Sequence, residues 1–549
     1  MGNLVFWVCF VLLIATLIIS TALRSKRAKE HKLRILTEGF GSSEKTVSDP
    51  QRFDEVPALL GYMKKEYPDD FCIDDITLKD LSIRDVFARI NRCVTSAGED
   101  YIICRLRMLH DDHLCALSFY DEITGYINDP DRAKDHIRIL SSFSKREHDV
   151  FKSIDAVNEA DASGILYDVM PLSCLVASFV LSCFYPKAGM LLAVAAIIIC
   201  VATYFAGKRV MDFGLAGLSA SQALLRCARS LLRSGRDDLN EYESLWQLTR
   251  GDRLISYKDQ TTSNPFDILL DYIRMITHID LIAYKIKISG IKGHVDELRS
   301  LYERIGRIDA SISLASVLLS KDHCKAESCD EYRISTKGIY HPLVRRVPVK
   351  NDLEANRGIL LTGSNASGKS TFLKAVGLNL IFAASFGFAL ADSFETGIRC
   401  IYTSMATTDD IIGSKSYYVV EAESIKRICD VAGKRPSLVI IDEVLRGTNT
   451  VERIAASTGI LKHLSQEGIL CFAATHDLEL ATLLDGYMDL YYFTEEIKED
   501  DVVFPFVIKK GMTDRTNAIR MLKMLGFDDS IVSSARELVG HYRNTGSWT

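Results

Sequence analysis

The sequence predicts two unlike halves: a mostly parallel, doubly wound α/β domain from about residue 331, preceded by an all-α region with about three transmembrane helices. Three patterns carry that expectation. Beyond Gly358, apolar strand-like runs (GILLTG, SLVIIDE, ILCFAATH) alternate with helical stretches, the rhythm of βαβ units. From Asp74 to about Leu166, and again over Val210 to Arg233 and Phe266 to Leu319, apolar residues recur at helical spacing. Three charge-free apolar runs, at 4–23, 169–185 and 188–207, approach the roughly 20 residues that a helix needs to cross a bilayer.

The first of these runs is preceded only by Met-Gly-Asn, without the basic start or small-residue cleavage site of a secretory leader. Six Lys and Arg follow it in RSKRAKEHKLR, which predicts an anchor with its downstream side in the cytoplasm. The second and third runs, separated by Pro186 and Lys187, predict a hairpin of two further spans; a buried helical pair is the alternative. An even number of crossings there returns the chain to the cytoplasm, giving a multi-pass membrane protein with its α/β domain on that side.

The remaining boundaries follow from these. Residues 24–73 read as a charged juxtamembrane linker, 74–168 and 208–330 as helical core and lever regions, 331–538 as the α/β domain and 539–549 as a tail. The net charge of −6 excludes a broadly basic, nucleic-acid-coating protein. The 14 cysteines are scattered, with no CxxC pair, which fits a reduced interior rather than a disulfide scaffold. His323, Cys324 and Cys329 lie together in KDHCKAESC, but no second ligand pair follows to complete four-ligand spacing.

GILLTGSNASGKST joins a buried strand, a glycine loop and a helix start, and matches G-x-x-x-x-G-K-[ST]. In such a loop backbone N–H groups close on phosphate oxygens and the helix N-terminus adds its positive end. Gly363, Ser364, Asn365, Ala366, Ser367, Gly368, Lys369, Ser370 and Thr371 are therefore the expected triphosphate cradle. Lys369 is expected to reach the β- and γ-phosphates, and Ser370 to bind Mg²⁺. SLVIIDE ends a second buried strand in two carboxylates, Asp442 as the Mg²⁺ partner and Glu443 as the base orienting water. ILCFAATHD ends a third in His476, a candidate γ-phosphate sensor. Lys369, Glu443 and His476 form the expected catalytic set, with ATP and Mg²⁺ as cofactors.

Together, GSNASGKST, TTDDI, SKSYYVVEAES, DEVLRGTNT and FAATHDLEL resemble, in order and spacing, the ATPase domain of the MutS mismatch-repair family. The resemblance covers roughly Gly338 to Leu538, with a weaker echo of that family's core helical domain at Ile90 to Arg107. It implies a homodimer with composite sites, in which Ser416 acts on the nucleotide of the other subunit. It also implies that Asp409 and Asp410 line the Mg²⁺ or water loop, and that Arg446 to Thr450 communicate across the dimer. Double-stranded or branched DNA is the implied partner.

Two residues depart from the family pattern: Leu445 stands where Gly is usual, and Ser364 where Pro is common. The amino-terminal mismatch-reading and connector domains are not expected here. Phe53-Asp54-Glu55 lies in a charged linker and reads as a coincidental Phe-x-Glu triplet. The leading expectation is a membrane-tethered MutS-like ATPase coupled to DNA binding. A transporter-type or membrane-remodelling ATPase is the alternative, weakened by the lack of an LSGGQ-type signature; a non-hydrolysing scaffold is disfavoured by Lys369, Asp442 and Glu443.

Overall fold

The computed structural model describes residues 16–548 apart from 17–19, 21–22, 25, 29, 32, 43–47, 144, 146–148, 161–162, 235–238, 250–271, 345–346, 365–366, 406–416, 447, 467, 499–500, 513–518, 520–521, 524–525 and 546. Of the apolar run at 4–23, all but 16, 20 and 23 lie outside the described residues.

The first half is helical, and its principal elements are α1 (Ser96–Arg107), α2 (Ile165–Phe184), α3 (Pro186–Arg233), α4 (Ile279–Lys292) and α5 (Val295–Leu318). Two of them, Ile165–Phe184 and Pro186 to Arg209 of α3, are long and apolar enough to cross a membrane. Their outer faces leave Leu166, Phe179, Phe184, Met190, Leu191 and Ile198 exposed. The turn between them is short: Tyr185 leaves the helical region (φ −132°), and Pro186 restarts the helix at a position where its missing N–H costs nothing.

The run 188–207 and the periodic stretch 210–233 are a single unbroken helix of 48 residues. Lys208 and Arg209 change the polarity of its surface, but both are good helix formers and leave the backbone bonding intact. Beyond that point α3 enters the core, burying Leu218, Leu224, Leu225, Ala228 and Leu231. Gly217 allows the close approach, since a Cβ there would lie 2.2 Å from the carbonyl oxygen of Ser153. The stretch 266–319 differs in the opposite sense. Residues 266–271 lie outside the described part, and the rest is interrupted at His278 and again at Gly293–His294, between α4 and α5.

A buried carboxylate fixes α1 to α5. Asp309 accepts from the backbone N–H groups of Val94 (3.1 Å) and Thr95 (2.8 Å) and from the Thr95 hydroxyl (2.6 Å). Thr95 in turn caps α1 by accepting from Gly98 N–H at 3.0 Å. Burial pushes the Asp309 carboxyl up to about 6, against these hydrogen bonds. Phe53 is a core residue, packed under the Arg107 guanidinium and against Phe87.

The second half contains a six-stranded sheet. In chain order its strands are β1 (Ile359–Thr362), β2 (Cys400–Ser404), β3 (Ser437–Asp442), β4 (Ile469–Thr475), β5 (Asp489–Tyr492) and β6 (Lys509–Lys510). Their spatial order is β6-β5-β1-β4-β3-β2, parallel throughout except for β6 at the edge. Strands β1 and β3 are buried at every position, as continuous apolar runs of parallel strands should be. Alternate residues serve the two faces: Leu438 and Ile440 join the core shared with the helical region. Val439 and Ile441 pack instead with Leu461, Leu464 and Leu480 on the far side. The longer helices between strands are α6 (Lys369–Phe386), α7 (Tyr417–Val431) and α8 (Thr450–His463), and a short helix, Leu478–Leu483, follows β4. From Ala375 to Phe386, α6 is buried all round, between the sheet and the helical region. The β-rich stretch 332–352 enters a separate five-stranded sheet formed by 324–327, 334–339, 351–355, 388–389 and 393–396.

Candidate functional site

Strand register brings three sequence motifs to one edge of the sheet. Thr475, at the end of β4, pairs with Thr362 at the end of β1, and Asp442, ending β3, pairs with Ala474. The residues that follow these strand ends therefore surround one space, outside the carboxyl ends of parallel strands where open α/β sheets bind ligands.

The loop after β1 turns on two glycines with positive φ, Gly363 (145°) and Gly368 (109°), backbone geometry that residues with a Cβ rarely adopt. Lys369 opens α6, and its ammonium donates to the carbonyls of Gly363 (2.7 Å) and Ser364 (2.8 Å). Burial pulls the Lys369 pKa down, while the carboxylates of Glu443 and Asp442 oppose that shift. The Ser367 hydroxyl oxygen is buried and has no hydrogen-bond partner among the described residues. A polar cavity of about 360 Å³ opens here, lined by Ser367, Gly368, Lys369, Ser370, Thr371, Glu443, Arg446 and Phe506.

Asp442 is buried at 7% exposure behind this cavity. Glu443 has φ 62°, which turns its carboxylate out of the strand line, and Leu445 has φ 58°. Glu443 faces Arg446 Nε at 2.5 Å and His476 Nδ1 at 3.4 Å. The hydrogen bond from His476 is the main cause that holds the Glu443 carboxyl below its ordinary value, and the same bond raises the His476 pKa. Of the expected residues, Ser364, Ser367, Lys369, Ser370, Thr371, Asp442, Glu443 and His476 thus converge. Asn365, Ala366, Ser416, Asp409, Asp410 and Gly447 lie outside the described residues.

Further contacts fix the loops around the cavity. Glu421 of α7 accepts from the Arg446 N–H at 2.9 Å and so pins the loop after β3. Ser364 donates to the buried Glu495 at 2.8 Å. Arg453 binds Asp477 through two hydrogen bonds (2.9 and 2.7 Å), tying α8 to the residue after His476. Asn449 caps α8 by accepting from Val451 N–H at 3.0 Å.

A second, mainly apolar cavity of about 380 Å³ adjoins the first and shares Gly368, Thr371 and Phe506 with it. Tyr340, His341, Val349, Phe372 and Phe493 line its interior. Burial lowers the His341 pKa to about 4, so its imidazole is neutral at pH 7.

The family model for MutS domain V matches residues 359–542, the span that contains β1, the glycine loop, Asp442, Glu443 and His476. Over that span the chain is similar to MutS domain V. Among its relatives, the DNA mismatch repair protein MutS of Fusobacterium nucleatum subsp. nucleatum is 32% identical over 263 residues, covering 46% of this chain and 29% of that protein. The DNA mismatch repair protein MutS of Thermotoga maritima is 30% identical over 273 residues, covering 48% of this chain and 34% of that protein. The chain therefore spans about a third of the length of these curated relatives.

Proposed function

We propose that residues 331–538 form a P-loop ATPase domain that binds and hydrolyses ATP. The observation that carries this reading is that Asp442, Glu443 and His476 end neighbouring parallel strands at one sheet edge, where Lys369 and Glu443 line a polar cavity beside an apolar one. The donor set fits a magnesium triphosphate: an unpartnered buried hydroxyl at Ser367, a lysine at the helix start, and Ser370 and Asp442 as hard oxygen ligands. Bound Mg²⁺ would supply neutralisation of phosphate charge. Lys369 would exchange its loop carbonyls for phosphate oxygens. Glu443, kept ionised by its His476 and Arg446 partners, would orient the attacking water, with His476 within reach of the terminal phosphate.

The test is a pair of variants of the purified protein. Lys369→Ala should abolish hydrolysis, and Glu443→Gln should retain ATP binding while losing turnover. Unchanged hydrolysis in Lys369→Ala would refute the reading.

Similarity to the MutS family supports a homodimer with composite sites and coupling to DNA, in which Ser416 of each copy completes the site of the other. The exposed apolar side chains of Tyr418, Val419 and Val451, at the starts of α7 and α8, favour burial against a second copy. ATP-dependent crosslinking of Ser416→Cys to a cysteine near the phosphate loop of a second copy tests the dimer. A salt-dependent mobility shift tests DNA binding, and its absence at low salt would remove that part of the reading.

The apolar hairpin of α2 and α3 supports tethering of this ATPase to a lipid bilayer on its cytoplasmic side, together with the run at 4–23 as a further span. Release of the protein from membranes by alkaline extraction would refute it. One observation favours the membrane-remodelling alternative: α3 runs without a break from the hairpin into the core.

A further inference from the structure

A further cavity, of about 470 Å³, lies between the apolar hairpin and α4 and has no role in the reading above. Its walls are apolar, with Met170 and Pro171 of α2 facing Ala196 and Ile199 of α3. One end is polar, formed by Asp168 in the first turn of α2 and by Lys285 of α4. Along α3 the lining runs from Ala196 to Gly207, about 16 Å of helix, so the cavity is elongated parallel to the hairpin.

The polar end is built from all three helices. The Lys285 ammonium lies 2.6 Å from Asp168 Oδ2 and reaches the Gly164 carbonyl at 3.4 Å. An ammonium carries three N–H groups, which leaves one for a ligand in the cavity. Behind the buried Asp168, His278 Nδ1 stands 4.0 Å from Oδ1, and His278 Nε2 is 2.9 Å from the Cys200 carbonyl of α3. Nearby, Tyr204 donates to Asp280 Oδ2 at 3.0 Å, so that second carboxylate is already engaged. Lys208 and Arg209 directly follow Gly207, and three cations therefore stand against two carboxylates at this end. Pro171 has no N–H to give to the carbonyl of Tyr167, another lining residue, which adds an acceptor on the same side.

An elongated apolar cavity that ends in a few convergent charged groups suits a molecule with a hydrocarbon chain and a charged head. The excess of cations selects an anionic head. At the rim Leu166, Tyr167 and Met170 are exposed, so a chain can enter sideways from surrounding lipid. We propose that this cavity binds one anionic phospholipid, with an acyl chain between α2 and α3 and the phosphate on the Lys285 ammonium. Basic pockets between membrane helices on the cytoplasmic side recognise anionic head groups by the same chemistry. The inference rests on the reading of the hairpin as embedded in a bilayer. A lipid so placed bridges three helices, its phosphate held from α4 and its chain by α2 and α3.

The experiment is native mass spectrometry of the full-length protein, delipidated in detergent and titrated with dioleoyl phosphatidylglycerol or dioleoyl phosphatidylcholine. One phosphatidylglycerol per chain should be retained, in preference to phosphatidylcholine. Lys285→Met combined with Asp168→Asn removes the ammonium without orphaning a buried carboxylate. It should weaken retention about tenfold, the loss of one charge-assisted hydrogen bond. Ile199→Trp fills the apolar part from an exposed position and keeps the ion pair, so it serves if the double variant folds poorly. It should weaken retention to a similar extent. Leu191→Trp, exposed on the outer face and outside the cavity lining, should retain lipid as wild type does. Unchanged retention in either folded cavity variant, equal affinity for the two lipids, or no retention by wild type overturns the lipid site. Those results leave the embedding of the hairpin standing, because alkaline extraction of membranes reads it separately. Release of the protein by alkali overturns the embedding and the lipid site together.

Discussion

At most buried positions glycine is less stable than alanine, and Leu445 should reverse that order. Its φ of 58° lies in the left-handed region, where a residue with a Cβ carries roughly 1–2 kcal/mol of strain. Its side chain is nonetheless 3% exposed, packed in the cluster with Val444, Ile441, Leu461 and Leu464. Truncation to alanine removes that packing, a loss of about 2–5 kcal/mol for a buried leucine, and leaves the strain in place. Leu445→Gly loses slightly more packing and gains unfolded-chain entropy worth about 0.5–1 kcal/mol against it, but releases the strain. The expected order is Leu, then Gly, then Ala, with glycine below wild type by about 2–3 kcal/mol and alanine lower by a further ~0.5–1 kcal/mol. Urea unfolding of the full-length protein in detergent, with matched m-values, measures these differences. Alanine equal to or more stable than glycine would show that position 445 does not hold a left-handed backbone, and the account of the loop after β3 would fall. If the order holds, leucine serves here to anchor the loop in the core, at the cost of local strain.

Three further outcomes follow from the site and the helical region. Glu443→Gln should lower ATP turnover by about 10²–10⁴-fold with ATP affinity retained, measured by single-turnover hydrolysis and equilibrium binding; an equal loss in both would indicate a binding role. The His476–Glu443 pair should shape the pH profile. The raised His476 pKa means that its contribution is full below about 6.5 and is lost as pH rises through the folded value, whereas the lowered Glu443 pKa means loss as pH falls through its own. His476→Gln should therefore remove the alkaline limb of the rate profile, and an unmoved limb would contradict the pairing. Asp309→Ala should destabilise the fold by about 3 kcal/mol, because it orphans the N–H groups of Val94 and Thr95 and the Thr95 hydroxyl. With a folded pKa of about 6, above its unfolded value of 3.8, Asp309 binds its proton more tightly when native, so stability falls between those pH values. Denaturation at pH 4 and pH 7 should show stability falling more steeply with rising pH in wild type than in the variant, the other titrating groups being common to both.

The glycine loop, Asp442, Glu443 and His476 were legible in the sequence because parallel strands buried on both faces are continuous apolar runs. The polar residues that interrupt such runs mark strand ends. The unbroken α3 was not legible, since Lys208 and Arg209 read as a boundary although backbone hydrogen bonding is indifferent to side-chain polarity. Nor were Glu421, Glu495 and Asn351, which reach the site from elements far apart in the chain and meet it only after folding. Phe506 gave no turn signal, because the residue types that announce a positive φ are glycine and asparagine. Leu445 was visible as a departure from the family glycine, and only the backbone angle gave that departure a meaning.

The length of α3 has a mechanical consequence. Forty-eight residues at 1.5 Å each make a rod about 72 Å long. One end is embedded among Leu224, Ala228 and Leu231, and the other carries the apolar hairpin. Because the rod has no joint, a tilt of about 5° at its core end sweeps the far end through about 6 Å, close to one helical turn. Small rearrangements among the helices packed on its core end would thus be magnified by leverage alone before they reached the tip.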